Sequence, residues 1–223
     1  MNVRKDYDEK LMEISRLINQ MGRQTTIFVA GVVEALVVFD GEGARNVRHH
    51  ESEVDELYRI IDEKCITLIA TQQPAAGDLR FLISSVKISG EIERIADYAN
   101  NIAKIIHKKL PELELRPVSH LGSAIRSMGV LAVEMLADAV QAFENKDRMF
   151  VDVAKQRDME VNKAHRNLFK LMIGTGCPDS NVQTAILELY TAVRYLERVA
   201  DRAVNIAEWV FYMETGFHYK KGA

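Results

Sequence analysis

Proline is nearly missing: four residues among 223, the first of them at position 74. Since proline removes a helix hydrogen bond and clashes with the preceding turn, its scarcity leaves long helices open to the chain. Aromatic residues are also few, 7% with a single tryptophan, and Leu, Ile, Ala, Glu, Lys and Arg dominate, which suits helices better than strands. Cysteine is limited to Cys65, in an apolar helical stripe, and Cys177, beside Pro178 in a turn. With no CxxC or other zinc spacing, these read as reduced thiols of a cytosolic protein. There is no surplus of one charge: 29 basic against 32 acidic residues, net −3, which excludes the basic footprint that nucleic acid or anionic lipid requires. The N-terminus, MNVRKDYDEK, has no apolar signal region. The most apolar run, Ile27 to Phe39, contains Gly31 and Glu34 and falls short of the roughly 20 residues that span a bilayer. The chain is expected to be soluble, without membrane insertion, and free to dock on a membrane partner.

Catalytic signatures are missing too. No histidine has Glu three residues before it, as a ferritin-like di-iron bundle requires. There is no GxxxxGK[ST] loop, GxSxG elbow or HExxH helix, and Gly41-Glu42-Gly43 lacks the third glycine of a dinucleotide fingerprint. Nothing in the sequence asks for a reaction centre.

What is present is helical periodicity. Six helices are predicted, at about 8–38, 44–70, 79–109, 119–145, 149–173 and 181–214. In the third, Ile88, Ile92, Ile95, Ala99, Ile102 and Ile106 alternate steps of four and three, the seam of a bundle. Asp40 to Gly43 and Gln73 to Asp78 break the chain in the first half, with Asp78 a candidate N-cap, and Gly174 to Pro178 does so in the second.

The two halves resemble each other. Residues 91–106 shifted by 104 lie over 195–210 with eight of sixteen positions identical, among them Glu93/Glu197, Arg94/Arg198, Asp97/Asp201 and Asn101/Asn205. The same shift pairs Glu34-Ala35-Leu36 with Asp138-Ala139-Val140. The expected fold class is all-α, two tandem pseudo-symmetric three-helix bundles: 1–109, a proline-bounded linker at 110–117, 118–215, and a tail at 216–223.

Repeated apolar positions need only repeat the packing, whereas repeated acids call for a further reason. Glu93 and Asp97 stand four apart, as do Glu197 and Asp201, so each pair shares a helix face. Earlier in each half come Glu51 with Asp55 and Asp158 with Asn162. If the second and third helices form a hairpin near residue 75, residue 53 lies about 22 residues before the turn and residue 95 about 20 after it, level at 1.5 Å rise per residue. Each half then gathers up to four oxygen-bearing side chains. Like charges at this spacing cost a helix about 0.2–0.5 kcal/mol per pair, and a bound hard divalent cation would reverse the sign. Asn101, Asn205 and His50 are candidates for additional ligands or for orienting them. The competing reading is two solvated acidic faces paired with Arg94, Arg198 and nearby lysines. His165, among polar residues, is expected at the surface.

Gly90-Glu91-Ile92-Glu93-Arg94-Ile95-Ala96-Asp97 and Tyr195-Leu196-Glu197-Arg198-Val199-Ala200-Asp201, continuing to Asn205-Ile206, resemble the paired signatures of the PhoU family. Gln73-Pro74 with Asp78-Leu79-Arg80 is similar to that family's turn into its third helix, and Trp209-Val210-Phe211-Tyr212 to its closing aromatic segment. The resemblance implies a cytoplasmic regulator, peripheral to the inner membrane through its partners, which keeps the phosphate-starvation response off when phosphate is plentiful. The implied partners are PstB, the ATPase of the phosphate ABC transporter, and a PhoR-type sensor histidine kinase, with a homodimer as the usual state. It also implies divalent or iron-type metal ions on Glu51, Asp55, Glu93 and Asp97, and on Asp158, Asn162, Glu197 and Asp201, where the asparagine departs from the acidic pattern. A carboxylate-rich helical metalloenzyme and an accessory protein of another phosphate or ion transporter are the alternatives.

Overall fold

The computed structural model describes residues 3–176 and 179–220; the turn expected at Cys177-Pro178 lies outside the described residues. Among the described residues there are seven α-helices and no strand. They are α1 (Val3–Val38), α2 (Gly41–Asn46), α3 (His49–Gln72), α4 (Ala76–Lys108), α5 (Gly122–Asn145), α6 (Phe150–Gly174) and α7 (Ser180–Thr215). Two 3-10 segments, Leu110–Glu112 and Arg116–Leu121, join α4 to α5.

The local chemistry explains most boundaries. Asp40 does more than break the chain: its carboxylate accepts from the Glu42 and Gly43 amides and starts α2, so the helix expected over 44–70 begins at Gly41 and is interrupted before it resumes at His49. Asp179 caps α7 in the same way, accepting from Asn181 and Val182. Gly216, at φ +77°, closes α7 in the left-handed region that glycine enters without steric cost. Asp78 is not the cap of α4. That helix begins two residues earlier, after Ala75, so the acid sits inside the first turn, favourably placed toward the positive helix end.

Helices α4 and α7 form the most extensive contact, α1 packs on α5 and α4, and α5 packs on α7. These four make the centre, with α3 laid over α1 and α4 and α6 over α5 and α7. One buried cluster runs through both halves, joining Ile92, Ile95, Ile102 and Ile106 to Leu196, Val199, Ile206 and Val210. Leu110, Val118 and Leu121 of the connecting segment are fully buried in it. Helix α1 is the one described helix long and apolar enough to cross a bilayer by length and composition. Here its apolar side, including Ile14, Ile18, Met21, Phe28 and Leu36, is buried within the bundle.

Contacts across the centre are reciprocal. A Cβ on Gly22 would stand 2.5 Å from a Val140 methyl, and one on Gly129 would stand 2.4 Å from a Val33 methyl. Adding 107 to Gly22 and Val33 gives Gly129 and Val140, so each contact maps onto the other. Between α4 and α7 the offset is 104: Glu91 pairs with Arg202 at 3.1 Å, and the shifted pair, Tyr195 with Tyr98, is a ring contact at 5.6 Å. The 104-residue pairing expected for the first helices therefore slips by three: Val33, not Leu36, corresponds to Val140. A hairpin shorter by three residues in the second half restores the 104 register at α7.

Candidate functional site

The α3–α4 hairpin brings Glu51, Asp55, Glu93 and Asp97 to one face. Asp55 is pushed above the ordinary carboxylate range by partial burial and then by the charges of Glu51 and Asp97. Glu93 is raised by burial, Asp97 and Asp55, against a smaller opposing effect of Arg94. Acids on two helices thus feel one another across the hairpin. Asn100, only 2% exposed, donates to Glu51 at 2.5 Å and accepts from Arg48 Nε at 2.8 Å, which fixes one edge of the cluster. Asn101, the auxiliary expected from the sequence, lies half-buried one turn beyond Asp97. Its neighbour Asn100 makes the contact, and its position just inside the seam was the available signal.

In the second half Asp158 and Asn162 on α6 meet Glu197 and Asp201 on α7. Burial, Asp201 and Glu197 raise Asp158, with Lys155 and the Asn162 amide opposing. Burial and Glu197 raise Asp201, with Arg202 and Arg198 opposing. Asn162 turns its amide inward, donating to Asp158 Oδ2 at 2.9 Å, while Asp158 Oδ1 is buried without a hydrogen-bond partner. His165 is not a surface residue. Its side chain is 14% exposed, stacks on Tyr190, and brings Nδ1 within 3.4 Å of Glu197. The spacing Asp158, Asn162, His165 (i, i+4, i+7) places all three on one helix face and was the overlooked signal.

Two expected auxiliaries go elsewhere. Asn205 donates to Glu91 of α4 at 3.2 Å and serves the junction between halves. His50 leaves the first acidic face: its ring packs on Phe28 of α1, and its Nδ1 lies 3.4 Å from Glu53.

The donor chemistry fits cations. Carboxylates raised by burial and by mutual repulsion, and an orphaned carboxylate oxygen, gain from a positive ion, and all-oxygen sets suit hard divalent ions or iron. The first cluster offers four carboxylates. The second offers three, an amide and an adjacent imidazole.

A model of the PhoU domain matches the chain twice, over residues 18–106 and 125–210. A phosphate-specific transport system accessory protein PhoU homolog of Zymomonas mobilis is 33% identical over 212 residues, covering 95% of this chain and 88% of that protein. A homolog of the same description from Caulobacter vibrioides is 32% identical, covering 95% and 91%. The crystal structure of PhoU from Pseudomonas aeruginosa superimposes with a TM-score of 0.87 at 29% identity, covering 95% of this chain and all of that one. The phosphate transport system regulatory protein PhoU from Streptococcus pneumoniae gives 0.84 at 25% identity, covering 96% and 99%. Matched in both halves by one domain model, and nearly end to end by relatives at this level of identity, the chain belongs to the PhoU family.

Proposed function

We propose that this chain is an accessory protein of a phosphate-specific transport system, acting as a non-catalytic adaptor between the transporter ATPase PstB and a PhoR-type histidine kinase. The observation that carries this reading is end-to-end similarity to proteins described as accessory to that system, together with an acidic cluster set on a hairpin in each half. Chain segments 1–109 and 118–215 act as two copies of one docking unit, tied by the linker at 110–117.

The physical work of each unit is to hold charge at a fixed place. The buried seams of α4 and α7 set the spacing between faces, and α3 and α6 supply the opposing ligands. A bound divalent or iron-type cation would neutralise the repulsion and lock α3 to α4, and α6 to α7. One body that contacts both transporter and kinase couples their states, because any preference for one state of either partner is reciprocal. The protein then acts in the cytoplasm, reaching the inner membrane through its partners, and a homodimer doubles the number of faces.

Co-purification of the full chain with the transporter ATPase and the kinase, at high and low phosphate, tests the reading. Capture of both is expected, with phosphate-starvation genes expressed constitutively on deletion of the chain. Capture of neither would overturn it, and so would robust turnover abolished by Glu93→Ala.

A further inference from the structure

Helix α3 carries a second constellation on the side away from the acidic face. Glu51 turns toward Asn100 of α4, while His50 and Glu53 turn toward α1, where His50 packs on Phe28 and Glu53 lines a groove with Gln20 and Gln24. Ligand atoms of His49, His50 and Glu53 all lie within 4.8 Å of one another. The spacing explains this: Glu53 is four residues from His49 and three from His50, the two separations that put helical side chains side by side.

We propose that His49, His50 and Glu53 form a transition-metal site on the α1 side of α3, separate from the oxygen-rich cluster on its α4 side. The imidazoles are prepared for it in different ways. His49 Nδ1 lies 2.8 Å from the Asn46 carbonyl, which can only accept. Nδ1 therefore carries the proton, and Nε2 presents its lone pair, which is how metal-binding histidines are oriented. His50 Nδ1 is buried without a hydrogen-bond partner. The two rings lie 4.1 Å apart, and Phe28 holds the inner one at 5.9 Å. A nitrogen that ordinarily finds a partner when buried is thus left facing a carboxylate 3.4 Å away, outside good hydrogen-bond geometry and within the span one ion can bridge. In the same groove Gln24 Oε1 is buried without a partner.

Two imidazoles and one carboxylate form the donor set of a borderline ion such as Zn²⁺, Co²⁺ or Ni²⁺, not of Mg²⁺ or Ca²⁺. The positive end of α3 opposes a cation there, but that is a weak partial charge against three coordination bonds. Exposed His49 and Glu53 leave the remaining position to water or to a ligand from outside. An ion at this site would fasten the start of α3 against α1.

Co²⁺ is the probe, because its visible absorption reports nitrogen ligands and low coordination number. Full-length protein is expected to bind about one Co²⁺ that carries intense visible bands, beyond any pale, oxygen-ligated Co²⁺ at the acidic faces, and to lose those bands to Zn²⁺. The bands should persist in a variant carrying Glu51→Gln, Asp55→Asn, Glu93→Gln and Asp97→Asn, and in His165→Gln. They should vanish in His50→Gln, and affinity should fall at least tenfold in Glu53→Gln. Because His50 is packed, His49→Gln, at an exposed position, provides the same test without risk to folding and should also abolish the bands. Bands unchanged by His49→Gln and Glu53→Gln would overturn the assignment, as would their loss in the acidic-face variant or their absence from the wild-type protein. Failure to capture the transporter ATPase and the kinase would overturn the earlier reading and leave this one standing.

Discussion

The two acidic clusters occupy corresponding places on a repeated hairpin and have settled their electrostatics differently. The first sets four carboxylates against one another and steadies Glu51 from behind through buried Asn100 and Arg48. The second has Val204 where the 104-residue shift would put Asn100. It meets its charge from within the face, with Asn162 donating to Asp158 and His165 set against Glu197. Where the halves touch, by contrast, their contacts remain reciprocal, Gly22 to Val140 and Gly129 to Val33. Packing between halves tolerates little, because interiors are close-packed and a methyl group has nowhere to go. A cluster half open to solvent admits different donors at small cost.

The largest expected effect tests the conserved part of that contrast. Gly129→Val puts branched carbons into a space where a single Cβ already meets Val33 at 2.4 Å, and a β-branched valine cannot swing away. Overpacking of this kind costs about 3 kcal/mol, measured by urea unfolding. Gly22→Val should cost about as much, since it faces Val140 in the mirrored contact. Adding Val33→Ala to Gly129→Val should recover part of the loss, and Val140→Ala should not. Equal failure of both rescues would break the reciprocity.

The next effect separates the clusters by ligand. In a hundredfold excess over its dissociation constant, a cation that binds only the folded chain adds about 2.7 kcal/mol. In a chain of this length that raises the melting temperature by about 5–10 °C. Mg²⁺ or Mn²⁺ should act mainly through the four-carboxylate cluster, so Asp55→Asn with Asp97→Asn should remove most of their stabilisation. Ions that accept imidazole should retain a share of theirs through the second cluster, and changing His165 to Phe should remove that share. If both variants lose stabilisation equally for every ion, the two donor sets are not distinct.

Asn162→Asp would make the second cluster more like the first. It deletes the donation to Asp158, worth about 1 kcal/mol, and adds a like charge one turn away, worth about 0.2–0.5 kcal/mol. Cation-free protein should therefore lose about 1.2–1.5 kcal/mol by calorimetry and bind Mn²⁺ more tightly. Loss of stability without any gain in ion binding would mean that Asn162 serves only to hold Asp158.

The sequence disclosed what recurs at fixed period. The Ile88 to Ile106 seam, the doubled Glu93/Asp97 and Glu197/Asp201, and the level placement of 51–55 against 93–97 follow from helix geometry alone. The three-residue slip between α1 and α5 is fixed by Gly22 and Gly129 meeting their valines, and the 107-residue spacing of Glu51 to Asp158 and of Asp55 to Asn162 already carried it in the sequence. What it concealed depends on how the halves meet. The burial of His165 depends on Tyr190 of the next helix, and the inward turn of Asn205 on Glu91 of the other half. The departure of His50 toward Phe28 is likewise a tertiary fact, because adjacent helical residues point about 100° apart and the sequence does not say which of them faces α4.

The smallest effect concerns charge alone. Asp55 is raised in the folded chain by burial, Glu51 and Asp97. A carboxyl whose folded pKa exceeds its unfolded value contributes its full stability below the unfolded pKa and loses it as pH rises through the folded pKa. Cation-free protein should therefore lose a little stability on passing upward through and just above the usual carboxylate range. Asp55→Asn should lack that part of the loss and end more stable at neutral pH by a few tenths of a kcal/mol, in keeping with like-charge pairs on a half-exposed helix face. Glu51 and Asp97 in the same background should gain from the vanished neighbour, so the variant's advantage should shrink as salt screens them. The same change should weaken cation binding at this face. A substitution that stabilises the bare chain while impairing the loaded one marks a position whose charge is kept for what it binds. If the variant instead destabilises the bare chain at every pH, Asp55 serves the fold, and the first cluster would then resemble the second in satisfying itself.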